Sequence, residues 1–272
     1  MESEAIGFVA SLWRYPVKSM MGEQLADAYF TESGMLGDRS YALVDKVTGK
    51  VVSAKNPRKW HAMFSFSASY VTPPRKGAPI SQVKIQLPDG TSVTSDSPGV
   101  DTIIGNALDR EVRLARDFPE KPTLEEYWPD LERLAHRDEV TEEAMPAGTF
   151  FDGGPVHIVT TATLAKLSEL YPQGRFEPKR FRPNLLVATT KQRSCFAENE
   201  WVGKTLRIGS EVLIKITGNT GRCVMTTLPQ GELPPDTGIL RTAAQHNQAF
   251  VGVYAEIVRG GMMYRGDEIR MV

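Results

Sequence analysis

Residues 213–231, LIKITGNTGRCVMTTLPQG, decide how the chain folds. Ile214 and Ile216 alternate with Lys215 and Thr217, the period-two pattern of a half-buried strand. The Gly-Asn-Thr-Gly segment that follows signals a turn, Arg222 and Cys223 come next, and Pro229-Gln230-Gly231 turns the chain again. A strand that ends in a loop puts Cys223 at the rim of a sheet, not in its middle. Runs of the same kind recur on both sides: IGFVASLWRYPV, RSYALVD, KVVSAK, AMFSFSASYV, SQVKIQL and TSVTSD before it, and GPVHIVTT, PNLLVAT, TLRIG, FVGVYAEIVRGG and DEIRMV around and after it. Few of these runs are followed by a helix, as a parallel sheet would require. The expectation is a mainly β protein of the α+β class, a closed or nearly closed β-barrel with peripheral helices.

The organisation reads as a β-rich first part, residues 1–118, a connecting segment, 119–145, and a second β-rich part, 146–272. PEKPTLEEYWPDLERLAHRDEVTEEAMP within the connector is acidic, Pro-flanked and partly helical in pattern. TATLAKLSELY reads as a short helix with Leu164, Leu167 and Leu170 on one side, capped by Thr160, Thr161 or Thr163.

Composition narrows the setting. With 32 Lys and Arg against 33 Asp and Glu, the net charge of -1 provides no global field for nucleic acid or an anionic membrane. Any anion is then met locally. The amino terminus lacks the basic and apolar regions of a secretory signal, and no run approaches the ~18 apolar residues that span a bilayer. Two cysteines, Cys195 and Cys223, make no disulfide framework and cannot ligate an iron–sulfur cluster. A cytoplasmic, reducing setting is expected.

Several residues could carry chemistry. Arg222 beside Cys223 favours a thiolate, which is both a nucleophile and a soft metal ligand, although a lone Cys serves equally as a small buried hydrophobe. Cys195 sits in a polar loop with a weaker case. Lys18 and Ser19 follow Pro16 and suit a phosphate oxygen, or form an ordinary polar loop. Arg39 stands where a turn meets a strand. Arg180 and Arg182 are expected to alternate on one strand face, with Asn184 after a proline, and two like charges so placed call for an anion between them. The strand-to-helix step at Thr160 and Thr161 offers free N–H groups to an anion, or is a simple cap. The four histidines have no ligand spacing, and no GxSxG, Walker A or GxGxxG segment is present.

Taken in order, YPVKS (15–19), GDRSYAL (37–43), RFRPN (180–184) and GRCVMTT (221–227) resemble the MOSC superfamily, named for the carboxy-terminal domain of molybdenum cofactor sulfurase, together with its MOSC amino-terminal β-barrel domain. PDTG (235–238), FAENEWVGKTLRIG (196–209) and GVYAEIVRGGMMYRGDEI (252–269) extend the resemblance over nearly the whole chain. Within the superfamily the sequence looks most like bacterial relatives of the mitochondrial amidoxime-reducing component. That resemblance implies molybdopterin with Cys223 as the metal ligand. It implies that Lys18, Ser19, Arg39, Thr160, Thr161, Arg182 and Asn184 hold the pterin and its phosphate. Arg180, Arg222 and Asp236 lie beside matched positions, Asp236 as a companion to Cys223 in catalysis.

The implied activity is a molybdenum-cofactor oxidoreductase that removes oxygen from small N-hydroxylated substrates. Electrons are expected from a separate ferredoxin or flavoprotein reductase, with no iron–sulfur cluster in this chain, no membrane attachment and a monomeric state. The alternatives are a sulfur carrier or transferase using a Cys223 persulfide, and a non-catalytic protein that stores or delivers the cofactor.

Overall fold

The computed structural model describes residues 4–190 and 194–272. Residues 1–3 and 191–193 lie outside the described residues. Seven strands close a barrel: β1 (Ala5–Arg14), β2 (Val156–Thr160), β3 (Leu185–Thr189), β4 (Thr205–Ile208), β5 (Val212–Gly221), β6 (Phe250–Arg259) and β7 (Glu268–Met271). Their order is β3-β2-β6-β5-β4-β7-β1, and β1 pairs back onto β3. All pairings are antiparallel except β2 with β3. Helix Thr161–Leu170 explains the exception, since it carries the chain back after β2 so that β3 runs in the same direction. Val212, Ile214 and Ile216 of β5 show the inward period of two, and they pack with Val9, Leu12, Ile158, Val187 and Val253. Each such buried aliphatic contributes roughly 1.5–3 kcal/mol.

The amino-terminal part adds small sheets and a second core. Ser67–Tyr70, Val83–Gln86 and Ser92–Thr94 form one sheet, and Ala42–Asp45 pairs with Val112–Ala115. Val17, Leu43, Trp60, Phe66, Ile85 and Ile104 fill the space they enclose. The two parts are interleaved in the structure. Strand β1 is a stave of the barrel otherwise built from the second part, and Asp27–Thr31 pairs with Gly261–Tyr264. Among the described residues, no helix is long and apolar enough to cross a membrane.

Three local expectations need correction. The Gly-Asn-Thr-Gly segment is not a turn, because β5 runs on to Gly221. Its register with β6 slips between Ile216 and Gly218 and again between Asn219 and Gly221, so the glycines mark bulges. The connector is not helical but a β-hairpin, Thr123–Trp128 with Glu139–Ala144, in which Leu124 and Glu126 are buried at strand spacing. Arg180 and Arg182 do not alternate on a strand. Pro178 opens a one-turn helix, Pro178–Phe181, and Arg182 ends it in the left-handed conformation. Helix Thr161–Leu170 forms as expected, with Thr160 as its cap and Leu164 and Leu167 buried.

Candidate functional site

Strand β5 delivers Cys223 to the barrel rim. The residue has an extended backbone and opens the 3₁₀ turn Val224–Thr227. That turn is tied to itself: the Thr226 hydroxyl donates to the Cys223 carbonyl (3.0 Å), the Thr227 hydroxyl to the Val224 carbonyl (2.8 Å), and Gln230 Nε2 to the Met225 carbonyl (3.1 Å). Arg222 turns its Nη2 back to the Phe181 carbonyl (2.9 Å). Cys223 is half-buried and lines a cavity of about 490 Å³. Burial pushes its thiol up to about 11, reinforced by Glu126 and opposed by Lys55 and Arg222. Arg222 favours the thiolate, as expected, but burial outweighs it. A soft metal ion would compete with the proton for the same sulfur.

Three of the four arginines that line this cavity come from separate elements around the barrel: Arg39 from the loop before Ala42–Asp45, Arg182 from the end of the one-turn helix, and Arg222 from the end of β5. The Arg39 and Arg182 guanidiniums lie 4.6 and 4.2 Å from the centroid of the Tyr15 ring. Asp38 organises this corner, accepting from the Tyr15 backbone N–H (2.7 Å) and Asn184 Nδ2 (2.9 Å) while pairing with Arg39. Asn184 is fully used as a strut, since its Oδ1 also accepts from the His157 N–H (3.0 Å) and its Nδ2 also donates to the Trp13 carbonyl (3.2 Å). Arg39 and Arg182 hold φ of 47° and 53°, a left-handed backbone that costs a side-chain-bearing residue roughly 1–3 kcal/mol.

Burial pulls Arg182 down to about 10, which leaves it charged at neutral pH. Its Nη1, and Nε of Arg222, are buried with no hydrogen-bond partner. Each orphaned donor costs about 1–3 kcal/mol. A phosphate, with several acceptor oxygens, is the biological group that suits guanidinium donors of this kind.

Lys18 and Ser19 stand behind the cavity wall. Lys18 is buried and donates to the Phe150 carbonyl (2.9 Å) and Asp152 Oδ1 (2.8 Å). Burial lowers its pKa and Asp152 works against that. Ser19, at φ 62°, accepts from the Ala54 N–H (3.1 Å) and so fixes the backbone before Lys55. Asp152 and Lys55 line the cavity themselves, Lys55 at 2.9 Å from Glu126 and 3.7 Å from Asp152. Against its own burial, Asp152 is held far below the usual carboxylate range by Lys18 and Lys55.

Comparison with known proteins bears on this arrangement. The family described as the MOSC domain matches residues 147–270, and that described as the MOSC N-terminal beta barrel domain matches 6–101. The chain belongs to the MOSC family. Its relatives include the rat mitochondrial amidoxime reducing component 2, 26% identical over 255 residues, covering 87% of this chain and 70% of the relative. The human mitochondrial amidoxime-reducing component 1 is likewise 26% identical over 255 residues, covering 87% of this chain and 69% of the relative. The crystal structure of the YuaD protein from Bacillus subtilis superposes with a TM-score of 0.50 at 12% identity, over 100% of this chain and 98% of that one, a likeness of fold.

This MOSC protein does not bring all the expected residues to the cavity. Arg180 is fully buried elsewhere, donating to the carbonyls of Arg175 (2.9 Å), Thr226 (3.1 Å), Leu228 (3.3 Å) and Pro234 (2.8 Å). With four carbonyls on its donors, it braces the segment after Cys223. The helix start at Thr160 and Thr161 does hold an anion-capable group, but the group is the chain's own Glu198. Its Oε2 accepts from the hydroxyls of Thr160 (2.6 Å) and Thr163 (2.5 Å). Asp236 accepts from the Gly238 N–H (2.8 Å) at the start of helix Gly238–Asn247 and does not line the cavity.

Lys55, Glu126, Asp152, His157 and Tyr254 line the cavity without having been singled out from the sequence. His157 is buried between the carbonyls of Arg182 (3.5 Å) and Val251 (3.3 Å), and burial keeps its pKa well below normal. No motif marks these positions, because contacts between distant segments create them. Among the described residues, no cluster of three or more His, Cys, Asp or Glu side chains could hold a metal. Cys223 supplies a thiol to this cavity.

Proposed function

We infer that this MOSC protein is a molybdenum-cofactor oxidoreductase that removes oxygen from N-hydroxylated compounds. One observation carries the reading: Arg182 and Arg222, each with an unpartnered guanidinium donor, line the same cavity as Cys223. A cofactor with a phosphate at one end and a metal that takes a cysteine sulfur at the other answers both features. The names of the relatives, amidoxime-reducing components, supply the reaction class.

Cys223 would ligate the metal, and Arg182, Arg222 and Arg39 would neutralise the phosphate. Asp38, itself tied by Asn184, keeps Arg39 in place, and Lys18 and Ser19 do the same for Asp152 and Lys55. The bound cofactor supplies two-electron oxygen-atom transfer. The protein's part is to fix the sulfur at the rim, supply preorganised cations that need no rearrangement, and hold a charged Lys55–Glu126 pair beside the reacting end. Overall, an N–O bond breaks, two electrons arrive from a separate ferredoxin or flavoprotein donor, and two protons complete the water that leaves.

Anaerobic incubation of the purified protein with benzamidoxime and reduced methyl viologen tests the activity. Stoichiometric benzamidine is expected, dependent on Cys223. Protein carrying molybdenum and pterin that yields no benzamidine would overturn the reductase reading.

A further inference from the structure

The cavity takes its lining from two chemically different sides. Arg39, Arg182 and Arg222 come from the barrel rim and the loops on it, whereas hairpin Thr123–Ala144 contributes Glu126, Trp128 and Glu143. Strand alternation turns Glu126 and Trp128 inward on one strand and Thr141 and Glu143 on the other, while Glu125 and Glu142 meet Lys50 on the outer face.

The hairpin side is fixed in place. Trp128 Nε1 donates to Thr141 Oγ1 (2.8 Å), the Thr141 hydroxyl donates to Glu143 Oε1 (2.8 Å), and the His136 ring lies 5.2 Å from the indole. Both ends of the hairpin are anchored. The Tyr127 N–H donates to the Lys55 carbonyl (2.9 Å), Arg133 Nη1 donates to the Gln245 carbonyl (2.8 Å), and Leu131 packs with Leu240 and Ala244.

Charge then separates the hairpin carboxylates. Glu126 is answered by Lys55 at 2.9 Å. Glu143 is half-buried and, among the described residues, no cation pairs with it. Arg133 also lines the cavity; it is exposed, its Nη1 donates to the Gln245 carbonyl, and it makes no ion pair with Glu143. A flat indole held beside an unpaired carboxylate is the chemistry that takes a planar cation.

We propose that Trp128 and Glu143 determine specificity in this cavity, selecting flat ligands with an amidinium-like cation over neutral ligands of the same shape. The proposal rests on the cofactor reading, which assigns the arginine side to the phosphate and leaves the hairpin side to the organic ligand, where an amidinium product or a cationic N-hydroxylated substrate is held more tightly than a neutral amidoxime.

Calorimetric titration of the purified protein with benzamidine and benzamide tests it, with molybdenum and pterin assayed on the same preparation. The two probes match in shape and carry no N–O bond to reduce. Benzamidine is expected to bind about tenfold more tightly or better. Glu143→Gln brings that ratio close to one with benzamide unaffected, Trp128→Ala weakens both probes, and Glu142→Gln on the outer face changes neither. Equal affinities in the wild type, no binding of benzamidine, or a ratio that survives Glu143→Gln would overturn the assignment, and unchanged binding in Trp128→Ala would remove Trp128 from it. A preparation without molybdenum and pterin that keeps the ratio refutes the cofactor reading alone. A loaded preparation without the ratio refutes the selectivity alone.

Discussion

Arg39 and Arg182, 143 residues apart in sequence, share one aromatic ring: both guanidiniums lie within 5 Å of the Tyr15 centroid, and Arg39 Nη2 reaches the Arg182 carbonyl at 3.5 Å. Asp38 answers Arg39 directly, which leaves Arg182 as the less compensated charge. Replacing it separates stability from loading. Arg182→Met gives up ring contacts with Tyr15 and Phe64 but relieves a buried, partly unpaired cation. Cofactor-free Arg182→Met should unfold within about 1 kcal/mol of the wild type, because the two effects are of similar size. Its pterin content, read by fluorescence after oxidation, should fall by about tenfold or more. A strongly destabilised variant that still loads normally would contradict the role given to Arg182.

Cys223 gives a pH signature in protein made without the cofactor. With its thiol pushed up to about 11, the thiolate fraction is small at neutral pH and grows about tenfold per pH unit below that value. Iodoacetamide labelling in a Cys195→Ser background should follow that slope from pH 7 to 10. A rate that levels off below pH 8 would show a thiolate that the surroundings stabilise.

Glu198 sets a second pH dependence. Burial raises its pKa in the folded protein, although the hydroxyls of Thr160 and Thr163 oppose this, and its Oε1 has no partner. The folded state therefore holds the proton more tightly than the unfolded chain. That contribution to stability is fully present below the unfolded-state value of 4.5 and is lost as pH rises through the folded-state value. Glu198→Gln should raise the melting temperature at pH 7.5, with the gain shrinking toward pH 5. A gain that is constant with pH would mean that Glu198 is ionised in the fold throughout.

Lys18 is assigned to Asp152 and the Phe150 carbonyl, behind the cavity wall. Lys18→Met should cost about 2–3 kcal/mol in chemical denaturation, discounted from a fully buried pair because Asp152 is about one-third exposed. Adding Asp152→Asn should recover part of the loss. Strictly additive losses would show that the two groups act independently.

The barrel was legible because its signal is local. Val212, Ile214 and Ile216 alternate, and so do the other stave sequences, whichever strands they meet. Local signals also misled where residue preference and context diverge. Gly218 and Gly221 suggest a turn but serve as bulges, because β6 continues alongside them. The Glu- and Leu-rich connector suggests a helix, yet the inward alternation of Leu124, Glu126 and Trp128 makes it a hairpin. Arg-Phe-Arg looks like a strand until Pro178 sets the helical turn. The site was half legible: Cys223, Arg39, Arg182, Asn184 and Arg222 reach the cavity, whereas the place foreseen for an anion at Thr160 is filled by Glu198, 38 residues away. Lys55, Glu126 and Asp152 meet only through the fold, and no spacing in the chain encodes that.

Molybdenum by elemental analysis and pterin by fluorescence, on wild type and Cys223→Ala purified side by side from a host that makes the cofactor, test the central claim most directly. The account predicts close to one of each per wild-type chain, with molybdenum lost from the variant while its fold persists by circular dichroism. A wild type that carries neither, or a variant that retains its molybdenum, would contradict it.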